Sequence, residues 1–236
     1  MKTLALKIKP EEFKDWNEKM VDKYDPDSFH HHHNPLVRYI ERKRVQAIFK
    51  MIDVQSRDRV IEVGCGAGNV IEKTTRGILF GLDLSGPILN KAKRRMDKKV
   101  FFLQADAQNL PCKDQIFARV ICSEVLEHLL DPSAALREIA RVLKNHGIAV
   151  VSVPNESLIN RIKTLLIRLG IFTWLFQHRG NYHAMPERME DEWHLHTLPL
   201  GGWLDLFGKL FCVRQMKRIP FWFLPLRYVI RIEKIE

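Results

Sequence analysis

Residues Val60 to Asn69 read V-I-E-V-G-C-G-A-G-N, an apolar run with an acid inside it, closed by three glycines at alternate positions. Val60, Ile61 and Val63 suit a strand buried on both faces of a sheet. Gly64, Gly66 and Gly68 let the backbone turn sharply after that strand, with no Cβ between the chain and a ligand. A second run, Ile78, Leu79, Phe80 and Leu82, ends at Asp83, 19 positions beyond Gly64. A doubly wound sheet presents an acid to a ribose at that distance, so the two runs together predict a nucleoside site. A dinucleotide fingerprint spaces its glycines G-x-G-x-x-G, whereas this loop is G-x-G-x-G with Glu62 just ahead of it. That spacing argues against NAD.

The chain around these runs alternates. Strands are predicted near 59–63, 78–83, 100–104, 116–122 and 148–153, with helices near 69–76, 86–96 and 133–144. Such an order calls for a parallel sheet with helices on both faces. Upstream, Pro10-Glu11-Glu12 opens a helix that carries Phe13, Trp16, Met20 and Tyr24 at helical spacing and stops at Asp25-Pro26. Asn34-Pro35 caps a second helix, with Val37, Ile40, Ile48 and Met51 as its buried stripe. Past Pro154 the rhythm breaks into an insertion, before a helix near 199–208 and strands near 211–218 and 228–235. The organisation predicted is one domain over 1–236. It has an N-terminal helical cover (1–56), a cofactor-binding core (57–154), an inserted lid (155–196), and a C-terminal helix and strands (197–236).

Three further motifs accompany the glycine loop: Gln104-Ala105-Asp106-Ala107, Ser123-Glu124-Val125-Leu126-Glu127-His128, and the run L-R-E-I-A-R-V-L-K-N-H-G from Leu136. With them the chain resembles class I S-adenosylmethionine-dependent methyltransferases, in particular the small-molecule group that includes the ubiquinone-pathway methyltransferases. The likeness runs over 57–155; one departure is Ala118, where such proteins commonly carry Asp. The resemblance implies an α/β, Rossmann-like fold: a seven-stranded, mostly parallel sheet with its last strand antiparallel, helices on both faces and a helical lid inserted after strand 5. It implies S-adenosyl-L-methionine as cofactor, bound by Glu62, Gly64, Gly66, Gly68, Asp83, Leu84, Asp106, Ala107 and Ser123. The glycine loop would hold the methionine end, Asp83 the ribose hydroxyls, and Asp106 with Ala107 the adenine amino group.

Methyl transfer is an in-line displacement at a sulfonium carbon, so positioning and exclusion of water supply much of the catalysis. A base is needed for a phenol or alcohol acceptor. Glu124 and His128 are the candidates, because they follow the fourth strand, where ligands gather outside the carboxyl ends of an open sheet. Their E-x-x-E-H pattern also resembles a metal-linked site in some ubiquinone-pathway O-methyltransferases, but a loop and helix-start network is the stronger reading, and no metal is predicted. Alternating spacing puts His194 and His196 on one side of an extended segment, which the resemblance implies closes the pocket, with His196 as the third catalytic candidate. His30 to His33 lack an acid or cysteine to complete a metal site, and the resemblance implies that one of them, ahead of Asn34-Pro35, helps cover the cofactor.

The formal net charge of +10 would draw nucleic acid, anionic lipid or an anionic substrate. An RNA methyltransferase is the alternative favoured by charge alone, with neither an RNA-binding appendage nor an N-P-P-Y signature behind it, so nucleic acid is not expected as a partner. A second alternative is a non-catalytic cofactor-binding or scaffold protein. Four scattered cysteines, the absence of a secretory pattern at the start and the lack of about 20 consecutive apolar residues point to the cytoplasm. Segment 157–176 places Leu158, Ile162, Leu165, Leu169 and Phe172 on one face and Arg161, Thr164 and Arg168 on the other, ahead of Trp174 to Phe176. It reads either as a buried or homodimer-forming helix or as a helix lying peripherally on a membrane. Phe221-Trp222-Phe223-Leu224 adds a second bulky apolar stretch. The predicted partner is therefore a small acceptor, apolar or lipid-linked.

Overall fold

The computed structural model describes residues 8–32, 34–96, 100–172 and 193–235. Its strands are β1 (Arg59–Val63), β2 (Ile78–Asp83), β3 (Val100–Gln104), β4 (Phe117–Ser123), β5 (Leu143–Pro154), β6 (Phe211–Pro220) and β7 (Pro225–Lys234). They form one sheet in the order β3-β2-β1-β4-β5-β7-β6. The pairings among β1 to β5 are parallel, and β7 runs antiparallel to both β5 and β6. The helices are α1 (Phe13–Tyr24), α2 (Asp27–His30), α3 (Pro35–Ile52), α4 (Gly86–Met96), α5 (Pro132–Val142), α6 (Glu156–Arg168) and α7 (Leu200–Gly208).

Strand pleating divides the core in two. Ile61 and Val63 point to a cluster with Leu136, Ile139, Trp203 and Phe207, while Val60, one residue before them, joins Ile48, Met51 and Ala92 on the other face. Burial on both sides is why β1, β4 and β5 read as near-continuous apolar runs.

Four local features differ from the sequence reading. Residues 69–76 contain only a 3-10 turn, Ile71–Lys73, rather than a helix. The Ile71 amide is taken by Glu62 Oε2 at 2.8 Å, and the β-branched pair Thr74-Thr75 and Gly77 disfavour continuation. In α3 the Asn34 side chain accepts from the Leu36 amide as a cap, but the buried face is Glu41, Arg44, Ala47, Ile48, Met51 and Ile52. Val37 and Ile40 are only half-buried, and an ion pair occupies the stripe instead. Strand β5 begins at Leu143 rather than near 148, across an irregularity opposite Phe117 and Arg119. Helix α6 stops at Arg168, two residues before Gly170 with φ +68°, so the helix predicted over 157–176 is shorter; its last part, 173–176, lies outside the described residues.

The N-terminal elements lie over the carboxyl end of the sheet. Phe13 is buried in the core, and Tyr24 stacks on Trp193 with ring centroids 5.3 Å apart. Polar contacts fasten this cover to the opposite rim: Asp27 Oδ1 accepts from Asn69 Nδ2 at 2.7 Å and from Arg95 Nη1 at 3.1 Å, and Lys91 meets Asp25 at 3.0 Å.

The turn from β1 into the glycine loop demands glycine at its first position. Gly64 has φ +71°, and a Cβ there would stand 2.3 Å from Val125 Cγ2, a stiff β-branched neighbour. Gly64→Ala should cost about 2–4 kcal/mol, combining left-handed strain with overpacking. Chemical denaturation of Gly64→Ala alone and with Val125→Ala measures the two parts. The double change should recover the collision and leave about 1–2 kcal/mol of backbone strain; no recovery would mean that the collision is relieved in another way.

Candidate functional site

The loop after β1 is tied to β2 before any ligand arrives. The Gly64 and Cys65 amides both donate to the Leu82 carbonyl, at 2.7 and 2.8 Å. Asp83 completes the tie: Oδ2 accepts from the Gly66 amide at 2.8 Å and Oδ1 from the Ser85 amide at 2.9 Å. An ionised carboxylate has about four acceptor positions, so two remain for hydroxyl donors. Asp106 Oδ1 accepts from the Gln108 amide at 2.8 Å, which fixes its carboxyl at the rim. Glu62 is buried beneath the loop, and burial pushes its carboxyl up to about 8 against the opposing pull of the Ile71 amide and Arg44. Burial raises Asp83 as well, opposed by its backbone donors.

These groups line one end of a cavity of about 320 Å³ that continues to a second end with different chemistry. There a row of buried polar groups crosses the sheet. Arg44 donates to Glu41 Oε2 from Nε at 3.1 Å and Nη2 at 2.6 Å, and its Nη1 donates to Ser123 Oγ. Ser123 and Ser152, register partners on β4 and β5, share a hydroxyl contact of 2.9 Å. Ser152 Oγ donates to Glu124 Oε1 at 2.9 Å, and Glu124 Oε2 lies 2.6 Å from Arg227 Nε. Burial alone would raise Glu41, but Arg44, with Arg227 and His30 behind it, holds its carboxyl below the ordinary range.

Beside that row stands a cluster of acids and imidazoles. His194 Nδ1 is 2.6 Å from Glu156 Oε1, and His128 Nδ1 is 3.2 Å from the Trp193 carbonyl. The two imidazoles meet edge to face, with centroids 4.7 Å apart. Burial and then the neighbouring His194 push His128 well below the ordinary imidazole value, so it stays neutral. Burial and then Glu124 push Glu127 well above the ordinary carboxyl range, and neither of its oxygens has a hydrogen-bond partner among the described residues. Burial would also raise Glu156, but His194 and Arg227 hold it down as a carboxylate. Glu127, His128 and His194 bring one ligand-type atom each within 4.8 Å of one another, a grouping that could hold a metal ion and that shares two residues with the E-x-x-E-H pattern but replaces Glu124 by His194.

Of the residues singled out from sequence, Glu62, Gly64, Gly66, Asp83, Leu84, Asp106, Ala107, Ser123, Glu124 and His128 all line the cavity. Gly68 does not; it turns the chain beneath, where its amide donates to the Cys65 carbonyl at 2.8 Å. His196 does not either. Its Nε2 lies 2.9 Å from the Leu129 carbonyl and 3.3 Å from that of Leu130, and its amide donates to the Glu127 carbonyl, so it braces the turn that carries Glu127 and His128. Residues 193–199 form no strand, yet Trp193 and Leu195 are buried and His194 and His196 half-buried; of the two histidines, His194 lines the cavity. In the histidine run, His30 lines the cavity, His32 Nδ1 accepts from the Asn34 amide, His31 is exposed, and His33 lies outside the described residues. Sequence reasoning missed Glu41, Arg44, Ser152, Glu156 and Arg227. A signal existed for the first two: Arg44 falls on the apolar stripe of α3 with an acid three residues before it.

Residues 61–151, the stretch that carries the glycine loop, Asp83 and Asp106, match the methyltransferase domain family. Residues 61–151 carry a methyltransferase domain. The chain is 29% identical over 177 residues to the methyltransferase GfsG of Streptomyces halstedii, covering 70% of this chain and 62% of that protein. It is 33% identical over 118 residues to the ubiquinone/menaquinone biosynthesis C-methyltransferase UbiE of Campylobacter jejuni, covering 46% of this chain and 48% of that one. The chain thus spans less than two thirds of the length of these relatives. Among solved structures, a Thermotoga maritima S-adenosylmethionine-dependent methyltransferase superposes with TM-score 0.66 at 19% identity, covering 94% of this chain and all of that one. The methyltransferase domain accounts for the buried acids around the loop, because the cofactor it implies is a nucleoside that also carries a positive charge.

The titration of Glu62 gives a test without ligand. Between the ordinary carboxyl value of 4.5 and about 8, the folded protein keeps this proton while the unfolded chain releases it. The stabilisation is full below 4.5 and is lost as pH rises toward 8. His30, pushed down to about 4 by burial and then Arg44, acts with the opposite sign but only below 6.5. Between pH 6.5 and 8 the melting temperature of the ligand-free wild type should therefore fall relative to that of Glu62→Gln. Parallel curves would remove the assignment of a protonated Glu62.

Proposed function

We propose that this chain methylates a small acceptor, apolar or lipid-linked, that presents a hydroxyl to the second end of the cavity. The observation that supports it most is the continuity of one cavity from the glycine loop, Asp83 and Asp106 to an imidazole oriented by a carboxylate. S-adenosylmethionine supplies an electrophilic methyl group on a sulfonium centre. Glu62, the glycine loop, Asp83 with Leu84, Asp106 with Ala107, and Ser123 are its proposed binding residues, and the buried acids among them match its positive charge. The acceptor's apolar body fits against Phe13, Val21, Ile159, Phe172 and Trp193, which also exclude water.

The acceptor's proton needs a destination. Glu156 beside Nδ1 selects the His194 tautomer whose Nε2 is free to accept it, and the carboxylate then stabilises the imidazolium formed. His128 stays in the proposal as a neutral neighbour that fixes the acceptor oxygen. Glu124 is the weaker candidate for the base, since one oxygen accepts from Ser152 and the other faces Arg227. No step of this proposal is routed through a metal.

Peripheral membrane contact through α6 supports a lipid-linked acceptor. No helix among the described residues is long and apolar enough to cross a membrane. Helix α6 covers the cavity with Glu156, Ile159 and Lys163, yet leaves Leu165, Ile167 and Leu169 exposed at 56%, 41% and 61%. Glu156 is its one buried residue among those described, so the buried-helix reading of this segment does not describe it.

Titration calorimetry with S-adenosylhomocysteine should show Asp83→Ala weaker by about 1.5–3 kcal/mol, the scale of hydrogen bonds to a charged group. Unchanged affinity would sink the ribose assignment. With a lipid extract as acceptor source and S-adenosylhomocysteine release as readout, Glu156→Gln should lower turnover by about 10² to 10⁴ and leave that affinity intact. Turnover near the wild type would return the pair to a structural role.

A further inference from the structure

The loop that joins β6 to β7 leaves three adjacent aromatic side chains in solvent: Phe221 at 40%, Trp222 at 76% and Phe223 at 64% exposure. We propose that this tip inserts into the surface of an anionic lipid bilayer and sets the mouth of the cavity against it. The inference rests on the membrane contact proposed for α6 and adds the element that fixes its orientation.

Position is the first argument. Pro220 pairs with Pro225 across the tip, and Pro154, the last residue of β5, pairs with Arg227 just behind it. The tip therefore projects from the same carboxyl end of the sheet where Ser123 and Glu124 line the cavity, and Arg227 itself is part of that lining. The start of α6 is bound to its base, since Asn155 Nδ2 donates to the Pro225 carbonyl at 2.8 Å and to the Tyr228 hydroxyl oxygen at 3.0 Å. The start of α3 touches it from the other side, with Tyr39 and Phe221 centroids 6.1 Å apart and Leu36 exposed at 55%.

Charge decides which partner fits. Across α3, α6, β6 and Pro225 to Ile232 the acids are Glu41 and Glu156, and both are buried and paired. The outward charge of these elements is positive: Arg42, Arg161, Arg168 and Arg218 are exposed, and Lys43 and Lys217 are partly so. The Lys43 ammonium lies over the Tyr39 ring, 5.4 Å from the centroid. Bulky aromatics at the apex with cations behind them match the depth profile of a bilayer surface, where rings sit at the headgroup level and lysine and arginine meet anionic lipid. A second copy of this chain would bring the same positive surface against itself.

The experiment is co-sedimentation of the full chain with sucrose-loaded vesicles of phosphatidylcholine and phosphatidylglycerol at 3:1 and of phosphatidylcholine alone. The variants are Phe221→Ser with Trp222→Ser and Phe223→Ser, and separately Leu165→Ser with Leu169→Ser. Folding is checked through the affinity for S-adenosylhomocysteine, which neither variant should change. The wild type should partition at least tenfold better onto the anionic vesicles, and the tip variant should lose at least tenfold. A tip variant that binds like the wild type while the α6 variant does not overturns the tip alone. A wild type that ignores both vesicles overturns the tip and the α6 contact together but leaves methyl transfer standing. A wild-type dimer that the tip changes split, or binding to single-stranded RNA in place of vesicles, would assign the surface to another occupant and overturn the proposal.

Discussion

The carboxyl end of this sheet depends on one buried row of charges remaining neutral. Glu41, Arg44, Glu124 and Arg227 alternate in sign, and Ser123 and Ser152 link the two ion pairs. Removing one member of the buried Glu41–Arg44 pair leaves a charge uncompensated, at a cost of about 3–5 kcal/mol, far more than the intact pair is worth. The row therefore acts as a register device. It fixes α3 against β4, β4 against β5, and the start of β7 against both, and the cavity floor is whatever those four elements present once they are so placed. It also explains why α3 carries an arginine on its buried face, where an apolar residue would pack more cheaply but would hold no register.

The acids outside that row behave differently. Glu62, Asp83 and Glu127 are each raised above the ordinary carboxyl range, with burial as the largest cause. A positively charged ligand placed among them lowers the cost of their ionisation, so its binding releases protons and strengthens the field that holds it. The division of labour is physical. Acids next to guanidinium groups maintain the architecture, and acids without them form a reserve of negative charge that only a cation calls up.

Much of this was legible in the sequence, and the legible part is local. The β1–loop–β2 unit, α4 and α5 are written in contiguous patterns: apolar runs, glycines at fixed spacing, an Asp131-Pro132 start in which the Asp131 side chain accepts from the Ser133 amide. What was not legible depends on partners far along the chain. Glu124 looks like a free carboxylate in S-E-V-L-E-H, and only the arrival of Arg227 on an antiparallel strand more than 100 residues later occupies it. Glu156 looks like the first-turn acid of a helix, which it is, and its contact with His194 spans an insertion that no periodicity describes. The helix read into 69–76 failed for the same reason: the amide of Ile71 is spoken for by Glu62, nine residues earlier, and the local pattern does not show that competition.

The antiparallel strand gives these observations a common geometry. β7 holds Arg227 in the cavity wall at its start, Val229, Ile230 and Ile232 in the core along its length, and the aromatic tip immediately before it. A parallel strand in that place would need a crossover connection, and its entry loop would lie at the amino end of the sheet, away from the site. Because β7 enters from β6 through a short turn at the carboxyl end, the exposed Trp222 and the cavity-lining Arg227 are five residues apart on one continuous backbone. The orientation of the cavity relative to the tip is thus set by strand pairing, with no flexible linker between them, and any surface that takes the tip also takes a defined view of the cavity mouth.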